Sequence, residues 1–497
     1  MAKPPISRRQ ILFKLGGLGA YVVAGPTSIA NAGPFFAPTA SSYLSDLVTA
    51  LRSAKPQNAL RIAGDALTDG VGVRALMAAV LEIGVTDIRP RPHGILHTVM
   101  MVHASLELAD NAGDEEAKLL ALWNLHDLKI SQQRDRDEFD DWKMKSAPEG
   151  PDTEISKVAA KELHQQFSKA MADWDSKGAD SALIALFPTL SHASFFHLIW
   201  PFAVRCNSFL GHKAIYAANL CRATKRLALS QSAARSLVQT LLVGRETTIW
   251  DGNANIASGL AGTPFTKVAA THRNARALYR QMRNADSTAC LSVALTALQN
   301  NHHPDDIWNA LRLIASEVFH NRSGTRSKDG RNALLPVHAL TVVNALGYIA
   351  RTTTDGRLRW RCLLEAVARI PNMREWLQSS TNLPTVTPSL EQLAVGPDVK
   401  MASLTAAIAS GSPPVVCGYL MNNQTSVAKF GSHLRTSLLR TAQEHHQHKY
   451  AAAVLEEAQL APPELRAMIL APSVSYLVHP DDATTQLHQQ SLAVLRG

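Results

Sequence analysis

Apolar residues recur at three- and four-residue spacing along most of this chain, and runs of alternating β-branched and aromatic residues are scarce. A strand alternates its faces with period two, whereas a helix has period 3.6, so this spacing lays an apolar stripe along one side of a helix. The pattern is present in 71–84, 95–109, 115–130, 154–174, 211–227, 230–243, 266–282, 304–320, 337–350, 357–370 and 430–445. Ala, Leu, Arg, Gln and Glu dominate these segments, and all are good helix formers. Pro188, Pro201, Pro264, Pro304, Pro336, Pro371 and Pro472 read as helix starts and breaks. No fixed-period repeat is present, which argues against a regular solenoid. The prediction is an all-α fold, an irregular array of packed antiparallel helices forming one continuous multi-helix body.

Three polar stretches mark internal boundaries: "KSAPEGPDT" at 145–153, "NRSGTRSKDGRN" at 321–332 and "STNLPTVTPSLEQLAVGPDVK" at 380–400, the best linker candidate. They divide the chain into helical regions at 33–145, 154–380 and 398–497, the last packed on the rest.

Residues 1–32 have a different character. Lys3, Arg8, Arg9 and Lys14 precede a Gly-interrupted apolar run from Leu15 to Ala24, and Ala30-Asn31-Ala32 reads as a cleavage site. The run is about half the roughly 20 residues that a membrane span needs, so no transmembrane span is expected in the mature chain. "SRRQILFK" resembles the twin-arginine export signal, a receptor-read address. The resemblance implies passage through the twin-arginine translocase as a folded protein, in many cases with a cofactor already inserted. The expected location is the periplasm or the extracellular space.

The formal charge of +9 falls to about +5 once the four cations of the leader are removed. With no basic stripe, that excess does not point to nucleic acid. Five cysteines, at 206, 221, 290, 362 and 417, include no C-x-x-C pair. A Cys-type zinc site is therefore not expected, c-type haem attachment is excluded, and at most two disulfides could form. Phosphate-loop, nucleophile-elbow, H-E-x-x-H and EF-hand signatures are all absent.

The chemistry rests on the 19 histidines. In "GHKAIYAANLCRA", His212, Tyr216 and Asn219 fall on one helix face, and Gly211 places the His212 ring beside free backbone N–H groups that favour neutral imidazole. In "LPVHALTVVNALGYIA", His338 and Thr341 lie near the start of a helix and Asn344 one turn on. Two such helices facing each other would enclose a pocket. His93 and His97 are spaced to share a metal, although Pro92 and Gly94 fray that start. His103, Glu107 and Asp110 share a face that reads as wet surface. Glu317 and His320 form one Glu-x-x-His, where di-metal bundles use two. "QEHHQHKY" at 443–450 reads as a surface cluster of His445, His446 and His448, with Lys449 and Tyr450 leading into a helix able to cap a pocket.

The phrases "IRPRPHGILHTVMMVHASLELA", "DLKISQQRDRDEFDDWKM", "GHKAIYAANLCRATKRL" and "HALTVVNALGYIA" resemble a group of bacterial all-helical proteins with twin-arginine leaders. The likeness spans roughly 85–350, with an echo in "HHQHKYAAAVLEEA". Gly211-His212-Lys213 and His338-Ala339-Leu340-Thr341 match the motifs of that group, while His126 stands where an acid or small residue is expected. The resemblance implies a shared helical fold and shared pocket residues but transfers no reaction. "FFHLIW" and "HALT" are also similar to questin-oxidase-like proteins.

Three functions follow as expectations. One is a metal- or haem-dependent oxidoreductase or oxygenase, with His212, His338 and His97 as metal ligands, Asn344 beside the cofactor, and Tyr216 and Asn219 in catalysis. A second is a cofactor-free enzyme using His212 or His338 as general base on a small-molecule ligand. The third is a non-enzymatic periplasmic scaffold or ligand-binding protein.

Overall fold

Side-chain caps start many of the helices. Asp175, Ser191, Ser230, Thr271, Asp286, Ser403, Ser426 and Thr485 each accept a backbone N–H from the first turn that follows. These contacts satisfy donors that a helix leaves unpaired at its N-terminus.

The computed structural model describes residues 41–91, 96–147, 157–205, 209–244, 251–260, 269–323, 336–381, 388–395, 403–423, 425–478 and 484–497. Among these, every regular element is an α- or 3-10 helix, and no strand is present. Leu44–Gly497 packs as one body. The expected leader at 1–32 lies outside the described residues. No helix among the described residues is long and apolar enough to cross a membrane.

Four helices form the centre. His97–Ala109 packs on His212–Leu227, which packs on Val337–Thr352, which packs on His445–Leu460, and the last returns to the first. Nearly every residue of these helices is buried, apart from the outer turns. Helices of this kind lack a solvated stripe because neighbours cover them on all sides. Asp114–Phe139 packs against the His97 helix, and Pro304–Ser323 against the Val337 helix.

One buried polar network joins the lower halves of these helices. Arg222 pairs with Glu456 at 2.7 Å and Arg312 with Glu457 at 2.6 Å. Asn344 donates to both carboxylates at 2.8 Å. The network gives each buried charge a partner, which such charges require.

Three expectations change. The apolar pattern at 430–445 spans two helices, Val427–Thr441 and His445–Leu460, because a reciprocal capping box between Glu444 and Gln447 restarts the chain there. Pro201 and Pro371 lie inside helices rather than at their breaks. Within the 380–400 stretch, Leu390–Val395 is a 3-10 turn with Leu390 and Leu393 buried. The Leu390 N–H donates to Glu317 Oε2 at 3.0 Å, which ties this turn to the core.

Candidate metal centre

Each of the four central helices carries a histidine in its first two positions. His97, His212 and His445 are the first residues of their helices, and His338 and His446 the second. All four N-termini meet, so the rings meet as well. Before His212 the backbone turns sharply through left-handed Leu210 (φ 60°) and Gly211 (φ 77°). Only glycine adopts that region without steric cost.

His212 Nε2 lies 3.2 Å from His97 Nε2 and 3.1 Å from His338 Nε2. A neutral imidazole nitrogen carries either one proton or one lone pair, so hydrogen bonding satisfies at most one of these two contacts. A shared metal ion satisfies both. Two nitrogens bound at the usual 2.0–2.1 Å to one ion stand about 2.9–3.4 Å apart, for ligand angles from octahedral to tetrahedral.

His446 completes the group. Its Nδ1 is 2.5 Å from Glu444 Oε2, while its buried Nε2 has no hydrogen-bond partner among the described residues. One ring nitrogen from each of His97, His445 and His446 lies within 4.8 Å of the others. His445 stacks on His97 with centroids 4.5 Å apart, and its Nδ1 lies 3.1 Å from Asp127 Oδ1. A carboxylate on Nδ1 fixes the tautomer that leaves Nε2 for a metal. Both Glu444–His446 and Asp127–His445 have this form.

Lys449 is one turn beyond His446, and its buried Nζ contacts His97 Nδ1. Burial pulls the amine down to about 7, partly offset by Glu444 and Asp127. In its neutral form it accepts a hydrogen bond from the His97 Nδ1–H, leaving the Nε2 lone pair of His97 facing His212. Burial and the nearby Lys449 also hold His97 and His446 well below the usual imidazole range. Neutral imidazole is the form that binds metal.

His212, Ile215, Val337, His338, Thr341, His446 and Lys449 line a cavity of about 10 Å³. That is below the roughly 300–1,000 Å³ of ordinary small-molecule sites. The rings of His97 and His446 are 4.3 Å apart and those of His212 and His338 4.6 Å, so no porphyrin fits between them. The donor set suits a bare ion, and the non-covalent haem alternative does not fit.

Comparison with protein-family models, curated proteins and solved structures finds no match.

His97, His212 and His338 converge, which their separate sequence contexts left open. Tyr216, Asn219 and Asn344 do not line this cavity. Tyr216 Oη lies 3.0 Å from Ser236 Oγ, Asn219 accepts from Arg222 at 3.3 Å, and Asn344 sits in the Glu456–Glu457 network. Residues at i, i+4 and i+7 share a helix face but are spread over about 10 Å of its axis. The site occupies only the first turn.

"QEHHQHKY" is not a surface cluster. His446, His448 and Lys449 are buried, and burial drops His448 to about 4. The restart at Glu444 turns this segment inward, and an unbroken helix through 445 would hide that signal.

His103 is buried rather than wet, while Glu107 and Asp110 pair with Arg226 at the surface. Glu317 is held by Tyr279 and Arg283, so the Glu-x-x-His is structural. His93 lies outside the described residues. Cys221, Cys290, Cys362 and Cys417 are free and buried, and Cys206 lies outside the described residues.

Proposed function

We propose that this chain is an exported non-haem metalloenzyme, an oxidoreductase whose metal is held within the cluster of His97, His212, His338, His445 and His446. The observation that carries the reading is His212 Nε2, placed within 3.2 Å of two other imidazole nitrogens that protons alone cannot all satisfy. Imidazole donors suit iron, copper, nickel and zinc. Such a site binds copper or zinc more tightly than iron(II), so metal availability during loading decides which ion is held. A twin-arginine leader supports loading in the cytoplasm, before competing metals are met, and this favours iron. The cavity holds at most one water-sized particle. Lys449 on its wall is positioned to take up or release a proton there.

The test is metal analysis of protein purified after folding in the cytoplasm, with its visible and EPR spectra. Near-stoichiometric iron is expected, falling sharply in His212→Ala and His338→Ala while both variants remain folded. Zinc alone would overturn the redox reading. A metal-free, folded wild-type protein would overturn the site and favour a scaffold.

A further inference from the structure

Glu444 touches two groups of different chemistry. Its Oε2 is 2.5 Å from His446 Nδ1, and its Oε1 accepts a hydrogen bond from the Tyr476 hydroxyl. An imidazole of the metal site, a carboxylate and a phenol therefore form one continuous line. Tyr476 is buried in the short Val474–Leu477 helix, its ring 6.0 Å from Tyr450 and 5.8 Å from Phe319.

A phenol that loses an electron becomes a strong acid, so its oxidation is favourable only where a base takes the proton at once. Tyr476 has such a base in Glu444. Tyr450, on the same helix as His446, does not: its hydroxyl has no partner among the described residues. Oxidising Tyr450 would strand a positive charge in apolar surroundings. The Trp123 indole, 4.4 Å from the His448 ring, likewise lacks a partner for Nε1.

We propose that Tyr476 is a redox-active tyrosine that supplies one electron to the metal centre through Glu444 and His446. The proposal rests on the metal reading above. In the step, Tyr476 would give one electron to the bound metal, which dioxygen would first have oxidised by one electron with superoxide leaving. The phenol O–H bond breaks, and its proton forms a new O–H bond on the Glu444 oxygen that it already contacts. The products are a neutral tyrosyl radical and a Glu444 carboxylic acid. One electron from reduced substrate or an added thiol reductant, with return of the same proton, restores both. Burial, with the Glu444 charge, holds the phenol well above its ordinary range, so the resting hydroxyl keeps its proton. The device gives a single ion a second redox equivalent and intercepts oxidising power when no substrate is present.

The test loads the full protein with ferrous iron under anaerobic conditions, measures iron per chain, then mixes it with dioxygen and freezes it for EPR. An organic radical with tyrosine hyperfine structure is expected, narrowing when the protein is grown on ring-deuterated tyrosine. It should vanish in Tyr476→Phe and persist in Tyr450→Phe, both retaining wild-type iron. Should Tyr476→Phe lose iron, a ring-fluorinated tyrosine placed at 476 keeps ring and hydroxyl and must split the signal. Iron-loaded protein with no radical, a radical that survives Tyr476→Phe, or an unsplit signal would overturn this proposal and leave the metal site standing. Failure to bind a redox metal would overturn both.

Discussion

Glu457 is the most exposing place to test the packing that supports the centre. Its carboxylate is buried, 2.6 Å from Arg312 Nε and 2.8 Å from Asn344 Nδ2. Arg312 is itself buried and keeps one other contact, Asn309 Oδ1 at 2.6 Å. Replacing Glu457 with Gln removes the charge but not the volume, leaving a buried guanidinium without a counter-ion. Breaking a buried pair in this way costs about 3–5 kcal/mol. Exchanging both partners, as in Arg312→Met with Glu457→Leu, removes the stranded charge and should recover most of that loss.

The pH dependence sharpens the prediction. Burial alone would raise the Glu457 carboxyl, but the Arg312 and Arg351 guanidiniums outweigh it and hold the group below its usual range. A depressed acid contributes stability above its unfolded pKa and loses it as pH falls through the folded value. The gap between wild type and Glu457→Gln should therefore be full at pH 7 and shrink progressively as the pH falls below about 4, closing only past the depressed folded value. Urea melts of the two variants and wild type, read as midpoint shifts, make the measurement. A gap under about 1 kcal/mol at pH 7, or a double variant as unstable as the single, would refute the reasoning.

Two further outcomes follow from other parts of the body. Burial pushes Glu365 up to about 7, with Arg361, Asn253 and Arg369 pulling it partly back; a raised acid keeps its proton in the fold while the unfolded chain ionises, so stability should fall between about pH 4.5 and 7, and Glu365→Gln should remove up to about 3 kcal/mol of that fall in chemical melts at several pH values. At Gly84, an added Cβ would stand 2.7 Å from Val99 Cγ2, where the helix before the site crosses the His97 helix, so Gly84→Ala should cost about 1–3 kcal/mol by overpacking, and an unchanged melting temperature would contradict the close approach.

Much of this organisation is legible in residue order. Helix period marks Val73–Asp87, His97–Ala109, His212–Leu227 and Val337–Thr352 within a few residues of their observed bounds, and the last three carry embedded histidines. Local signals of this kind depend on neighbours three or four positions apart, which any reader of the chain can see. The "QEHHQHKY" segment was harder, because its polar composition matches a wet surface. What buries it is Asp127 meeting His445 and Tyr476 meeting Glu444, contacts across 318 and 32 positions.

The chain by itself determined the helices and placed a histidine at the head of each central one. Tertiary structure decided that four helix heads share one point, and that Tyr216, Asn219 and Asn344, though on the right faces, are too far down their axes to reach it. A helix face follows from a period of a few residues, whereas a site is a single position along that face, set by which helices cross there and how their ends are turned.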